Sequence, residues 1–308
     1  MINERRLVDL FLKYVQIDSE SRKEENFREV LEQDLRELGM EVTADEAGNL
    51  FFALDGDEKA EPLLFTAHMD TVVPGQSIRP VMENGVIKSG GDTVLGGDDK
   101  SGIAAIVEAI RVMKEEKIPH RRVEVLFTVE EEIGLNGSRA ADLGQVRSRY
   151  SIAMDGCGPM DEIVVNGAGQ ANVEIEITGV AAHAGNSPEK GVSAVIAAAD
   201  AVSAMKLLKV DEETTANIVC SHIRMLGEVR SRDNEKLERQ LEHMRSCVEQ
   251  ACRKHGASFQ FRADRIYEGY RVEDEAFLAI LRAAYEKLGV TPKYGVTMVG
   301  SDSNILNQ

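Results

Sequence analysis

The chain has 308 residues, long enough for two domains of ordinary size. With 43% hydrophobic and 29% charged residues it reads as a folded globular protein, not a disordered one. Its 53 acidic against 36 basic residues give a net charge of -17, which argues against nucleic acid or an anionic membrane as the main partner, since both require a basic face.

Residues 3 to 17 read as an amphipathic helix with Leu7, Leu10, Phe11 and Val15 on one side. Its charges leave no apolar core of signal-peptide type, and no stretch of the sequence approaches the ~20 apolar residues that span a bilayer. A second helix is expected over residues 25 to 38, stopped by Gly39. Strand-like runs follow in "EVTAD", "NLFFALDG" and "PLLFTAHMD". The stretch "SGIAAIVEAIRVMKEE" is a helix opening directly after a Gly-Asp-Asp loop. "VEVLFTVEEEIG" and "SIAMDG" are further apolar strands that end in acid. Strands alternating with helices predict an α/β fold with a mixed, largely parallel sheet covered by helices on both faces.

The pattern changes near Gly167. "QANVEIEITG" alternates strictly, and a long Ala-rich helix, a strand, a charged helix and another strand follow. This predicts an inserted smaller α+β, ferredoxin-like domain over 167–267, with 1–166 and 268–308 forming a discontinuous first domain. The four cysteines, Cys157, Cys220, Cys247 and Cys252, show no C-x-x-C spacing, as expected of reduced thiols in the cytoplasm.

Three apolar strands end in imidazole or acid: His68 and Asp70; Glu130, Glu131 and Glu132; and Asp155. Asp98 and Asp99 stand in a Gly-rich loop, "GGDDKSG". In parallel sheets the ligand crevice lies outside the carboxyl ends of the strands, so these groups are expected to converge there. Crowded carboxylates are costly without a cation. Histidine and acids without cysteine suit zinc, or manganese or cobalt in its place. His68 and Asp70, two apart on an extended strand, face the same way, so His68 can bind metal while Asp70 holds its other ring nitrogen. Asp99 reads as the cap of the helix opening at Ser101, or alternatively as a bridging acid. Glu130 reads as a solvated turn residue.

The motifs "TAHMDTV", "GGDDKSG", "TVEEEIGLNGS", "AMDG", "AAHAG" and "GSDSN", in that order, make the sequence similar to the co-catalytic zinc metallopeptidases, those related to peptidase T (tripeptidase), carboxypeptidase G and aminoacylase. The peptidase T-like members are the nearest in appearance. The resemblance implies two zinc ions per chain. His68 and Asp155 would hold one, Glu132 the other, and Asp98 would bridge both. It also implies Glu131 as general base, Asp70 as the residue orienting His68, and His183, Arg230 and Asn217 as substrate contacts. A further histidine ligand is implied in a C-terminal segment beyond the motif resembling "GSDSN"; His120, His222 and His255 stand outside any matching motif. The stretch "ETTANIVCSHIRMLGEVRS" is shorter than the family's Gly-rich loop at that place.

The expected function is metal-assisted hydrolysis of an amide bond in short peptides, with the inserted domain as lid and as the interface of a homodimer. The alternatives are an amidohydrolase acting on N-acyl amino acids or other small amides, and a non-catalytic metal-binding homologue.

Overall fold

A computed structural model describes residues 3–156, 158–182, 188–205, 209–211 and 221–308. In chain order its elements begin with α1 (Glu4–Val15), α2 (Glu25–Glu37), β1 (Thr43–Ala44), β2 (Leu50–Leu54), β3 (Leu63–His68), β4 (Pro80–Glu83), β5 (Val86–Ser89), α3 (Gly97–Glu115), β6 (Val123–Thr128), α4 (Asn136–Ala140), β7 (Tyr150–Ala153) and β8 (Glu162–Val164). They continue with β9 (Asn166–Gly167), β10 (Gly169–Thr178), α5 (Ala194–Ala204), β11 (Lys209–Asp211), β12 (His222–Ser231), α6 (Asn234–His255), β13 (Ser258–Tyr267) and β14 (Tyr270–Arg271), and close with α7 (Glu275–Lys287), β15 (Lys293–Gly295) and α8 (Ser303–Leu306). The chain divides into two compact units. One is Met1–Val164 with Glu273–Tyr294 and Ser301–Gln308; the other is Val165–Val272 with Gly295–Gly300.

The first unit holds a five-stranded sheet in the order β1-β2-β6-β3-β7. β3 runs parallel to both β6 and β7, while β2 is antiparallel to β1 and β6. The fold is therefore mixed α/β, as the alternation of strands and helices predicts. All six residues of β6 are buried, as in a strand covered on both faces. Tyr14, Phe27, Leu31, Leu35, Phe52, Ile103, Ile110 and Phe127 form its core, with Tyr14 edge-on to Phe27 at 5.4 Å and Phe52 tilted on Phe127 at 5.6 Å. The apolar stripe of α1, Leu7, Leu10 and Phe11, packs onto this core.

The β4–β5 hairpin was not among the expected elements, although its signal is present. Asn84 and Gly85 both take positive φ, 53° and 78°, which suits an Asn-Gly two-residue hairpin turn.

The second unit is a four-stranded antiparallel sheet, β11-β12-β10-β13, with α5 and α6 on one face. Its βαββαβ sequence in that strand order is ferredoxin-like. The alternation along β10 turns Ala171, Val173, Ile175 and Ile177 into the core. Ala194, Ala197, Ala198 and Ala201 form the buried face of α5 in the same core. Among the described residues no helix is long and apolar enough to cross a membrane.

One residue breaks the apolar run of β6. Glu124 is fully buried, yet its carboxylate is completely provided for. It accepts from Arg122 Nε at 2.8 Å, the Arg147 and Ser148 amides at 2.9 Å each, and the Ser148 hydroxyl at 2.7 Å. Burial by itself pushes this carboxyl up. Arg122, the Ser148 hydroxyl and the two amides outweigh it and hold the group below the usual carboxylate range. A depressed native pKa stabilises the fold above the unfolded value and ceases to do so as pH falls through the native one. Glu124→Gln should therefore cost about 2 kcal/mol at neutral pH. The gap to wild type should narrow below about pH 4. Urea midpoints measured at pH 7 and in mild acid check this, and a gap independent of pH would show that the ionised carboxylate is not what β6 relies on.

Candidate functional site

Because β3 is parallel to β6 and β7, the three strands end at the same edge of the sheet. β3 ends on His68, β6 ends on Thr128 just before Glu130, Glu131 and Glu132, and β7 ends two residues before Asp155. His68 is buried, and its Nε2 lies 2.9 Å from Asp98 Oδ1. Its Nδ1 lies 2.9 Å from the main-chain carbonyl of Asp70 and 3.4 Å from the Asp70 carboxylate. The short contact that orients the ring thus runs through the Asp70 carbonyl. With the proton on Nδ1, Nε2 is free to act as a ligand atom.

Two groups of potential ligand atoms share this imidazole. One is His68, Glu131 and Asp155; the other is His68, Asp98 and Glu132. Within each, the ligand atoms lie inside 4.8 Å of one another. Glu131, expected from the sequence as a base, stands in a ligand-forming group beside Asp155, and Asp98 belongs to the second group alone. Glu130 belongs to neither; its carboxylate accepts from Asn136 Nδ2 at 3.0 Å and lies 3.5 Å from Arg22 Nε.

The electrostatics are those of anions gathered without enough donors. Burial, with Asp155, Asp302 and Glu132 nearby, pushes the Glu131 carboxyl up to about 9 against the opposing pull of His68. Burial likewise pushes Asp155 up to about 7, with Asp98 and Asp302 adding to it. Glu132 is raised by burial, Asp98 and Asp70. Burial would lower His68, but Asp70, Asp98 and Glu131 hold it well above its ordinary value. A divalent cation among these groups reverses the balance, since it favours every ionised carboxylate and a neutral imidazole. The donor set of one imidazole nitrogen and carboxylate oxygens, with no thiol, fits such an ion.

Local backbone geometry puts these groups in place. Glu130 and Leu135 adopt left-handed φ of 51° and 60°, and the chain folds back so that the Gly137 amide donates to the Val129 carbonyl at 3.0 Å. A Cβ on Gly137 would meet that carbonyl at 2.1 Å, so the return is open only to glycine. Asn49 clamps the fold-back, accepting from the Val129 amide and donating to the Gly137 carbonyl. In the Gly-rich loop, Asp98 and Asp99 have non-helical dihedrals. Asp99 Oδ1 accepts from the Gly102 amide at 3.1 Å, which is cap geometry for the helix proper. Asp98 remains extended and reaches His68.

Arg230 lies on β12, where its guanidinium is held by Glu228 and by the Met298 carbonyl. His183 and Asn217 lie outside the described residues. Among the described residues His68 is the one histidine in either group; His120 contacts the Arg121 carbonyl and His255 pairs with Asp200. The structure adds a residue to which no role was given. Asp302 is buried, accepts from the Thr128 hydroxyl at 2.5 Å, and keeps its other oxygen without a partner. The motif "GSDSN" was the available signal.

The pattern of "Peptidase family M20/M25/M40" matches residues 64–308. The Bacillus subtilis protein YqjE is 40% identical over 326 aligned positions, covering 99% of this chain and 88% of YqjE. The crystal structure of aminopeptidase PepT from Bacillus cereus is 38% identical, with a TM-score of 0.91 and coverage of 99% of this chain and 87% of that one. A tripeptidase from Staphylococcus aureus is 33% identical, with a TM-score of 0.96 and coverage of 100% and 88%. A match over most of the chain, and a relative this similar along nearly its whole length, place the protein in peptidase family M20/M25/M40.

Proposed function

We propose that this chain is a zinc-dependent exopeptidase that cleaves short peptides with a free amino terminus, tripeptides foremost. The observation that carries the proposal is the pair of acid-rich groups sharing His68 at the carboxyl ends of parallel strands. Similarity to proteins described as an aminopeptidase and a tripeptidase supports the substrate class. His68, Asp98, Glu132 and Asp155 would hold two ions, zinc or in its place manganese or cobalt.

When bound, the cations would supply an electrophile for the scissile carbonyl and a lowered pKa for the attacking water. Glu131 takes the proton of that water as its oxygen attacks the carbonyl carbon. It then delivers the proton to the leaving nitrogen as the amide bond breaks, and returns to the carboxylate. Burial of Glu131 keeps bulk water from competing for that proton. Substrate contacts by His183, Arg230 and Asn217 belong to the same proposal and rest on the motif resemblance. So does a homodimer in the cytoplasm, joined through residues 167–267. The alanine face of α5 is buried in its own core, so another surface of that unit would form the interface. A monomer mass in sedimentation equilibrium would overturn the dimer.

Dialysis against a chelator should abolish tripeptide hydrolysis, and zinc, manganese or cobalt should restore it. Turnover that survives complete removal of metal would refute the metal-dependent reading. Glu131→Gln should lower kcat by roughly 10²- to 10⁴-fold while the metal content per chain stays at the wild-type level. Unchanged kcat in that variant would remove Glu131 from the proton transfers. Assayed on tripeptides, dipeptides and N-acyl amino acids, the wild-type enzyme should prefer tripeptides; cleavage of N-acyl amino acids alone would make it an amidohydrolase instead.

A further inference from the structure

The amides of three consecutive residues, Glu130, Glu131 and Glu132, are each taken by a carboxylate. Glu130 N–H donates to Glu24 Oε1 at 3.0 Å. Glu131 N–H donates to Asp70 Oδ1 at 3.0 Å, and Glu132 N–H to Asp70 Oδ2 at 3.2 Å. The two acids at the centre of the site therefore hang, through their own backbone, from the two oxygens of a single carboxylate. The rotation of that carboxylate about its Cβ–Cγ bond sets where both side chains begin.

Asp70 is fully buried. Besides the two amides and the 3.4 Å approach of His68 Nδ1, its carboxylate has one more donor, the hydroxyl of Ser21, at 2.7 Å from Oδ2. This is the shortest of the four contacts, and it lies on the same oxygen as the longer amide bond. Ser21 is itself held firmly. The segment between α1 and α2 runs beside the chain that leaves β3, with the Thr71 amide donating to the Ser19 carbonyl at 2.9 Å and the Ser21 amide reaching the Thr71 carbonyl at 3.4 Å. Glu20 accepts from the Gly75 amide at 3.1 Å, and the Lys100 ammonium donates to the Ile17 carbonyl at 2.6 Å. Anchored on both sides, the segment presents one hydroxyl to one oxygen of Asp70.

We propose that Ser21 is a positioning residue for the hydrolysis: its hydrogen bond fixes the Asp70 carboxylate and, through it, the placement of Glu131 and Glu132. This rests on the peptidase reading above. Without the hydroxyl, Oδ2 loses its closest donor, the carboxylate plane is free to turn, and the Glu132 amide slackens first. Small displacements of a base or ligand have large kinetic effects, and groups that orient metal-site residues carry typically 10- to 100-fold in activity or affinity.

The experiment compares wild type, Ser21→Ala and Ser21→Thr, reading kcat and KM on a free-amino tripeptide, zinc affinity by competition with a chromophoric chelator, and thermal midpoint. In Ser21→Ala, kcat should fall about 10-fold or more with KM within about twofold, and one zinc should bind about 10-fold more weakly. Ser21→Thr, which keeps the hydroxyl, should recover most of both losses. A merely structural role would shift the thermal midpoint and leave zinc affinity and the kcat of the folded fraction alone. If wild type turns over and Ser21→Ala matches it in kcat and zinc affinity, Ser21 positions nothing. If wild type binds zinc without cleaving peptides, the peptidase reading fails and the zinc comparison still decides on Ser21. A wild-type chain that binds no zinc overturns both.

Discussion

Negative charge crowded around one buried imidazole is the condition that the rest of the first unit has to accommodate. Asp98, Glu131, Glu132 and Asp155 gather at His68, with Asp302 close enough to raise both Glu131 and Asp155. Such a cluster is unfavourable in a medium of low dielectric unless donors or cations compensate it. The surrounding chain supplies acceptors to the backbone amides of the residues that carry the acids, and the described residues supply almost no donors to their carboxylates. The carboxylates are thus left available to an ion.

Glu124 and Glu131 show the same residue type under opposite conditions. Both are buried and both lie on or just after β6. Glu124 receives a guanidinium, a hydroxyl and two amides, and its carboxyl is held below the ordinary range. Glu131 receives acidic neighbours, and its carboxyl is pushed up to about 9. The first pattern is that of a structural anchor, ionised at every physiological pH and pinning the segment that enters β7. The second is that of a group whose charge state waits on a ligand, which is how perturbed carboxyls mark functional sites. Asp70 is intermediate. It is buried, but His68, the Ser21 hydroxyl and the Glu131 amide keep its carboxyl low, so it serves as a fixed anion beneath the variable ones.

The legible parts of the site were those written in short range. His68 and Asp70 are two apart on a strand, the three glutamates are consecutive, and Asp99 stands three residues before the amide it caps. Period and spacing suffice there because strand alternation and helix geometry relate near neighbours directly. The Asn84-Gly85 hairpin turn is equally local. Ser21 was not legible in this way. It stands 49 residues from Asp70, in a polar segment of no periodicity, and only the return of the chain past β3 makes it a neighbour. Thr128 and Asp302 are separated by 174 residues and meet in the same way. Glu124, in an otherwise apolar strand, gave no sign of the donors that Arg147 and Ser148 bring to it.

By itself, the sequence determined the alternation of strands and helices, the change of pattern near Gly167, the identity of the acids and the histidine, and the order of motifs that marks the peptidase family. These follow from local periodicity and from residue chemistry, which the chain carries wherever it goes. Tertiary structure alone decided that β3, β6 and β7 end together, that the Asp70 carbonyl holds the His68 ring, and that Asp70 carries the amides of Glu131 and Glu132. It also decided which buried acids have donors and which do not. Those are relations between distant segments, and in a low-dielectric interior the energy of a charge depends on what packs against it, not on what precedes it in the chain.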